Sequence, residues 1–235
     1  GLRRFAVFVR GALEAMRRLR LTPDVLHAHD WHTALAPMAL AWDRPTDPWF
    51  SQTATVLTLH NVAFQGAYDR GEYLALGLPE SVEPETEWRG RLNLLKGGVL
   101  AADAVTAVSP GFARELATHE GGFGLDPIFC SRGDALVGIV NGIDRGVWNP
   151  AEDPYLPERY SATDLSGKAE DRRTLLTLAG MDTEDRGLVV GLIGRLTEQK
   201  GFDLSFAAAP ALLAEGVRFV VLGEGEPGLE GELRA

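Results

Sequence analysis

The sequence predicts an α/β chain built of doubly wound parallel sheets in two domains, and three observations carry that expectation. Short apolar segments rich in Val, Leu and Thr alternate with helical ones along the chain, as they do where helices cross between parallel strands. The first half runs strand, helix, strand, loop, helix, strand, helix, strand, an order that puts helices on both faces of a sheet. A change of character at 149–163, with Pro150, Pro154 and Pro157 among acidic and aromatic residues, then separates a second strand–helix–strand system from the first. The expected domains are 1–143 and, with the linker, 144–235.

Taken in order, residues 5–19 read as an amphipathic helix with arginines at 10, 17 and 18. A short strand at 24–29 is followed by a helix at 33–42, entered at His32-Thr33, and by a second strand at 53–60. Residues 91–102 read as a helix, 104–108 as a strand, and 110–118 as a helix with Ser109 as N-cap and Pro110 in its first turn. A strand at 135–140 closes the first half. Past the linker come a helix at 168–178, a strand at 188–193, an Ala-rich helix at 202–214 and a strand at 217–222. The chain begins at Gly1 inside helical sequence and its second sheet has few strands, so it reads as truncated at both ends, with exposed strand edges and poor solubility to be expected.

Composition narrows the function classes. A hydrophobic content of 45% in 235 residues supports a sizeable core. Lys plus Arg number 23 against 33 Asp plus Glu, a formal charge of -10, so nucleic-acid binding is not expected and any anion site must be local. The single cysteine, Cys130, excludes an intrachain disulfide and suits the cytoplasm. No export signal is visible, and the longest apolar stretch, 98–108, contains Asp103 and is too short for a membrane span.

Three of the five histidines fall in His27-Ala28-His29-Asp30-Trp31-His32, directly after a strand. A metallo-hydrolase His-x-His-x-Asp-His run would place its carboxylate one position later, where Trp31 stands, and only His60 and His119 remain as distant ligands. No metal is therefore expected. His27 and His29 fit local hydrogen bonding at the strand end, whereas His32 can project into the crevice above a parallel sheet. A second cluster, Gly194-Arg195-Leu196-Thr197-Glu198-Gln199-Lys200-Gly201, turns a strand into a helix with two cations five residues apart, an arrangement suited to phosphate. Gly223-Glu224-Gly225-Glu226-Pro227-Gly228 matches G-x-G-x-x-G, but its glutamates would repel a pyrophosphate, and the segment reads equally well as a turn. His60-Asn61 and Asn141-Gly142-Ile143-Asp144 end two further strands, with capping and turn roles as the plainer alternative. Trp42, Trp49, Trp88 and Trp148 are expected to be packing anchors, and Lys96, beside Gly97-Gly98, has no evident partner.

The segments 27–37, 59–66, 107–110, 140–144 and 194–201, in that order, resemble bacterial glycogen synthase and the plant starch synthases of the same family. The resemblance implies a B-type glycosyltransferase fold of two Rossmann-like domains with the active site in the cleft between them. It implies a retaining glucosyltransferase that moves glucose from ADP-glucose, a substrate rather than a cofactor, to the non-reducing end of an α-1,4-glucan such as glycogen. By position, His32 resembles the histidine that contacts the transferred glucose, Arg195 and Lys200 the pair that binds the donor diphosphate, and Asn141 a residue near the sugar. His60, Asn61, Gly194 and Gly223 are further candidates for substrate binding. The family's N-terminal Lys-x-Gly-Gly-Leu loop, its Asp-Asn pair ahead of the Arg-Phe segment and its C-terminal glutamate with Gly-Gly-Leu-Thr are not in this sequence, so the segment alone is expected not to turn over. Two other readings stand beside this one: a UDP-glucose-dependent or sucrose-synthase-like transferase of the same fold, and a Rossmann-type binding segment without catalysis.

Overall fold

The computed structural model describes residues 1–234, and the chain divides into two compact units, Gly1–Gly142 and Ile143–Ala235. In chain order the first unit contains α1 (Leu2–Arg18), β1 (Val25–His29), α2 (Asp30–Thr33), α3 (Leu35–Asp43), β2 (Ala54–Leu59), β3 (Ala67–Tyr68) and α4 (Glu83–Thr86). It continues with β4 (Glu87–Trp88), β5 (Arg91–Asn93), α5 (Leu94–Ala101), β6 (Ala104–Ala107), α6 (Pro110–Leu116), α7 (Asp126–Ser131) and β7 (Leu136–Gly138). The main sheet is parallel in the order β1-β2-β6-β7, with His29 opposite Thr58 and Thr58 opposite Thr106. All four strands therefore end on the same side.

On one face of β2 and β6 the side chains of Leu57, Leu59, Val105 and Ala107 are buried. Leu35, Ala39 and Leu40 of α3 and Leu94, Leu95 and Val99 of α5 complete that core. Ser109 caps α6 by accepting the Phe112 N–H at 2.9 Å, with Pro110 in the first turn, as the sequence predicts.

Two expected helices differ. The helix expected at 33–42 is two pieces: α2 begins at Asp30, inside the histidine cluster, and α3 begins at Leu35. The helix expected from 91 starts at Leu94, because 91–93 pair instead with β3 and β4 in a small antiparallel sheet, β3-β5-β4. Asn93 then caps α5 by accepting the Lys96 N–H at 2.9 Å, while Gly66 and Gln65 carbonyls take the N–H groups of Leu94 and Leu95. Lys96 has partners after all. It is buried, and its ammonium donates to the carbonyls of Pro84 and Glu87 at 3.0 and 2.8 Å. Burial lowers its pKa. Of the tryptophans, Trp49 and Trp88 pack against the core as expected, but Trp42 and Trp148 are exposed.

The second unit opens with irregular chain through 149–163 and then forms α8 (Lys168–Leu178), β8 (Val189–Ile193), α9 (Phe202–Ala214), β9 (Arg218–Leu222) and α10 (Pro227–Arg234). β8 and β9 are parallel, with α9 as the crossover. The Arg172 guanidinium of α8 donates to the carbonyls of Asp185 and Gly187, fixing the entry to β8. Among the described residues no helix is long and apolar enough to cross a membrane.

Candidate functional site

In the first unit the polar groups gather where β1, β2 and β6 end. Thr106 and Thr58 hydroxyls lie 2.6 Å apart, and Thr58 is 2.6 Å from His27 Nε2, so one hydrogen-bonded row crosses three strands. The His27 and His29 rings stack with centroids 4.3 Å apart, and His29 Nδ1 meets His60 Nε2 at 3.1 Å. Burial, then the neighbouring His27 and His60, hold the His29 imidazole below its ordinary pKa, against a smaller opposing effect of Asp30. The strand end is closed by Thr33, whose hydroxyl accepts the His29 N–H at 2.6 Å and donates to the His29 carbonyl at 2.8 Å. The His27 and His29 rings are thus hydrogen-bonded at the strand end, but to residues of β2 and the chain after it rather than to the local partners expected. Among the described residues no three His, Cys, Asp or Glu side chains converge as a metal site requires.

His32 is different. It sits on α2, exposed, and makes no hydrogen bond among the described residues; its imidazole is held by rings instead. The Trp31 ring lies 4.1 Å from it and Phe5 meets it edge-on at 4.9 Å. Trp31 is in turn fixed by Phe5, Tyr68 and the backbone of Gly66. Gly66 has φ of 63°, and a Cβ there would stand 2.5 Å from the Trp31 ring, so only glycine lets this loop close over the indole. Both imidazole nitrogens are consequently without a hydrogen-bond partner among the described residues, while the ring packs against Trp31 and Phe5.

His60 and Asn61 follow β2, beside β1 in the sheet, and Asn61 Oδ1 accepts the Ala63 N–H at 3.1 Å in a local turn. Asn141 follows β7 and is exposed. Because β7 is three places from β1, its end lies about 14 Å across the sheet at ~4.8 Å per strand. The carboxyl edge of the sheet therefore carries His32 and His60-Asn61 at adjacent strand ends, with Asn141 on the chain that leaves β7.

In the second unit, Gly194 and Arg195 follow β8 while Gly223 follows β9. All three line a cavity of about 590 Å³ together with Ile193, Leu222, Glu224 and Gly225. Arg195 and Lys200 are exposed, and neither forms an ion pair or side-chain hydrogen bond among the described residues. Lys200 ends a single helical turn, Glu198–Lys200, and does not line the cavity. The glycine run after β9 has a structural reason. Leu196 donates its N–H to the Glu224 carbonyl and accepts from Glu226, so 194–196 and 223–226 continue the parallel pairing beyond the strands. A Cβ on Gly223 would fall 2.0 Å from the Gly194 carbonyl oxygen. This G-x-G-x-x-G therefore serves close chain approach between the two loops.

Sequence reasoning noted Asp30 and Trp31 within the histidine run and Gly66 within 59–66, but gave none of the three a role beside His32. The signal available was the polar residue at a strand-to-helix junction, beside an aromatic ring adjoining the exposed histidine.

Comparison with known proteins finds relatives of this chain in sequence and in structure. The family model for the starch synthase catalytic domain matches residues 1–130. Glycogen synthase 2 of Geobacter sulfurreducens is 44% identical over 95% of this chain and 46% of its own length. A glycogen synthase of Alkalilimnicola ehrlichii is 47% identical over 96% of this chain and 47% of its own. Among solved structures, the catalytic domain of starch synthase IV from Arabidopsis thaliana, bound to ADP and acarbose, matches with a TM-score of 0.88 and 36% identity, covering 99% of this chain and 49% of that one. The chain spans about half the length of the curated relatives it matches.

Proposed function

The chain belongs to the starch synthase and glycogen synthase family, and on that premise we propose that it carries part of the machinery of a retaining glucosyltransferase using ADP-glucose to extend an α-1,4-glucan. The observation that carries this is the unpaired Arg195 guanidinium lining a cavity at the carboxyl ends of parallel strands, where α/β folds receive ligands. Departure of the sugar builds negative charge on the diphosphate, and Arg195, with Lys200 on the turn that follows it, supplies the positive charge to stabilise it. His32, exposed and aromatic-clamped, faces the transferred glucosyl group; His60, Asn61 and Asn141 hold sugar hydroxyls. Gly194 leaves room beside the phosphates, and Gly223 lets the loop after β9 approach it closely. Support for an ADP-linked donor comes from the ADP-bound starch synthase, 36% identical. The site works with its own side chains and without a resident cofactor, in the cytoplasm, where the exposed thiol of Cys130 stays reduced.

The test is α-glucan elongation by a protein of the relatives' full length carrying this segment. Arg195→Ala and Lys200→Ala should each lower kcat/KM by about 10²–10³ while the protein stays folded, the scale typical of lost transition-state charge stabilisation. Wild-type turnover in both variants would refute the assignment. UDP-glucose in place of ADP-glucose tests the donor, and the 235 residues alone should show no elongation.

A further inference from the structure

Asp30 joins β1 to α2 with φ of 52°, a left-handed conformation that Asp and Asn tolerate better than other side chains. Its carboxylate does not serve its own helix. Oδ1 accepts the backbone N–H of His60 at 2.7 Å and of Asn61 at 3.3 Å. The pairing of β1 with β2 ends at His29 and Thr58, so these are donors that the ladder no longer reaches. Asp30 Oδ2 makes no hydrogen bond among the described residues. One side chain thus governs two paths. Its left-handed backbone turns the chain so that α2 presents His32, and its carboxylate holds the chain that carries His60 and Asn61.

We propose that Asp30 is a positioning residue for sugar transfer, locking His32 at one strand end to His60-Asn61 at the next without touching substrate. The proposal rests on the reading of His32 given above. If Asp30 only held the fold, its loss would lower stability and leave turnover of the folded protein intact. If it positions, turnover falls at temperatures where the protein is fully folded, because small misplacements of reacting groups cost large factors in rate.

Three substitutions separate its contributions. Asp30→Asn keeps an acceptor oxygen and tolerates the backbone; Asp30→Gly keeps only the backbone freedom; Asp30→Ala loses both. In a protein of the relatives' full length carrying this segment, Asp30→Gly and Asp30→Ala are expected to lower kcat by about 10–10², with a much smaller change in KM for ADP-glucose, and Asp30→Asn to restore most of kcat. Wild-type kcat in Asp30→Gly, or an Asn variant as impaired as the Gly variant, would overturn the proposal; if Asp30→Ala does not fold, the Asn and Gly pair still decides. A second measurement needs no turnover. In the 235-residue chain, amide exchange at His60 should quicken in Asp30→Gly while that of Leu57 is unchanged, and unchanged His60 exchange would overturn the proposal by itself. His32→Ala is the control for the underlying reading: wild-type elongation there sinks the site assignment, whatever Asp30 does.

Discussion

His29 and His60 face each other through single nitrogens 3.1 Å apart, so one must donate and the other accept. A proton gained by His29 puts charge on a partly buried ring beside His27 and His60. Burial already lowers the His29 pKa, which means the unfolded chain takes up this proton at its ordinary 6.5 while the folded chain resists it until lower pH. Stability from this group is therefore complete above about pH 6.5 and declines as pH falls through the window below it. Thermal melting between pH 7.5 and 5 should show that decline, and His29→Gln should flatten it. Such pairings were not legible beforehand. The histidine run showed that polar groups collect at a strand end, but His60 is distant in sequence and becomes a partner only through the sheet. Lys96 is the same case: its two carbonyl partners lie on the chain leading into β4 and on β4 itself, which no periodicity in α5 reveals.

At the scale of elements, the packing of α3 on α5 depends on missing side chains. A Cβ on Gly98 would lie 2.6 Å from the Ala34 Cβ and 3.1 Å from the Ala34 carbonyl oxygen, and one on Gly97 would lie 2.8 Å from the Met38 sulfur. Ala34 is fully buried where α2 gives way to α3, so it has no space to retreat. Gly98→Ala should destabilise the protein by about 1–3 kcal/mol despite the better helix propensity of alanine, read as a lower denaturation midpoint. Because Ala34 directly follows the α2 turn, the same substitution should disturb the His32 environment, visible in its imidazole NMR signals. Local chemistry made some element boundaries legible: Ser109-Pro110 announces α6 from sequence alone, since cap and first-turn proline are neighbours in the chain. The starts of α2 and α5 were not legible. Asp30 adopts a left-handed backbone while its carboxylate reaches His60 and Asn61, and 91–93 become a strand where β3 and β4 lie beside them.

At the scale of the molecule, the two units differ in what they bury. The first has a continuous core from Leu2 to Phe129. In the second, only Leu176, Leu196, Phe202 and Val217 are buried hydrophobics among the described residues, around a two-stranded sheet, while Ile193 and Leu222 are exposed. Two strands with so little core are marginal. Native-state hydrogen exchange should accordingly be faster at β8 and β9 than at β2 and β6 of the same chain, and equal protection would contradict this ranking.

The sequence by itself determined which segments become parallel strands and crossover helices, that polar residues gather at their carboxyl ends, and which family the chain resembles. Those properties follow from hydrophobic period and local turn chemistry, which neighbours in the chain settle. Tertiary structure alone decided how the histidine run is used: His27 and His29 spend their nitrogens on neighbouring strands, Asp30 extends the ladder to His60, and His32 is left free in a frame of Trp31 and Phe5. The reason is that the hydrogen bonds among them depend on strand order and register, which bring residues about thirty positions apart within reach, while Phe5 comes to His32 from α1.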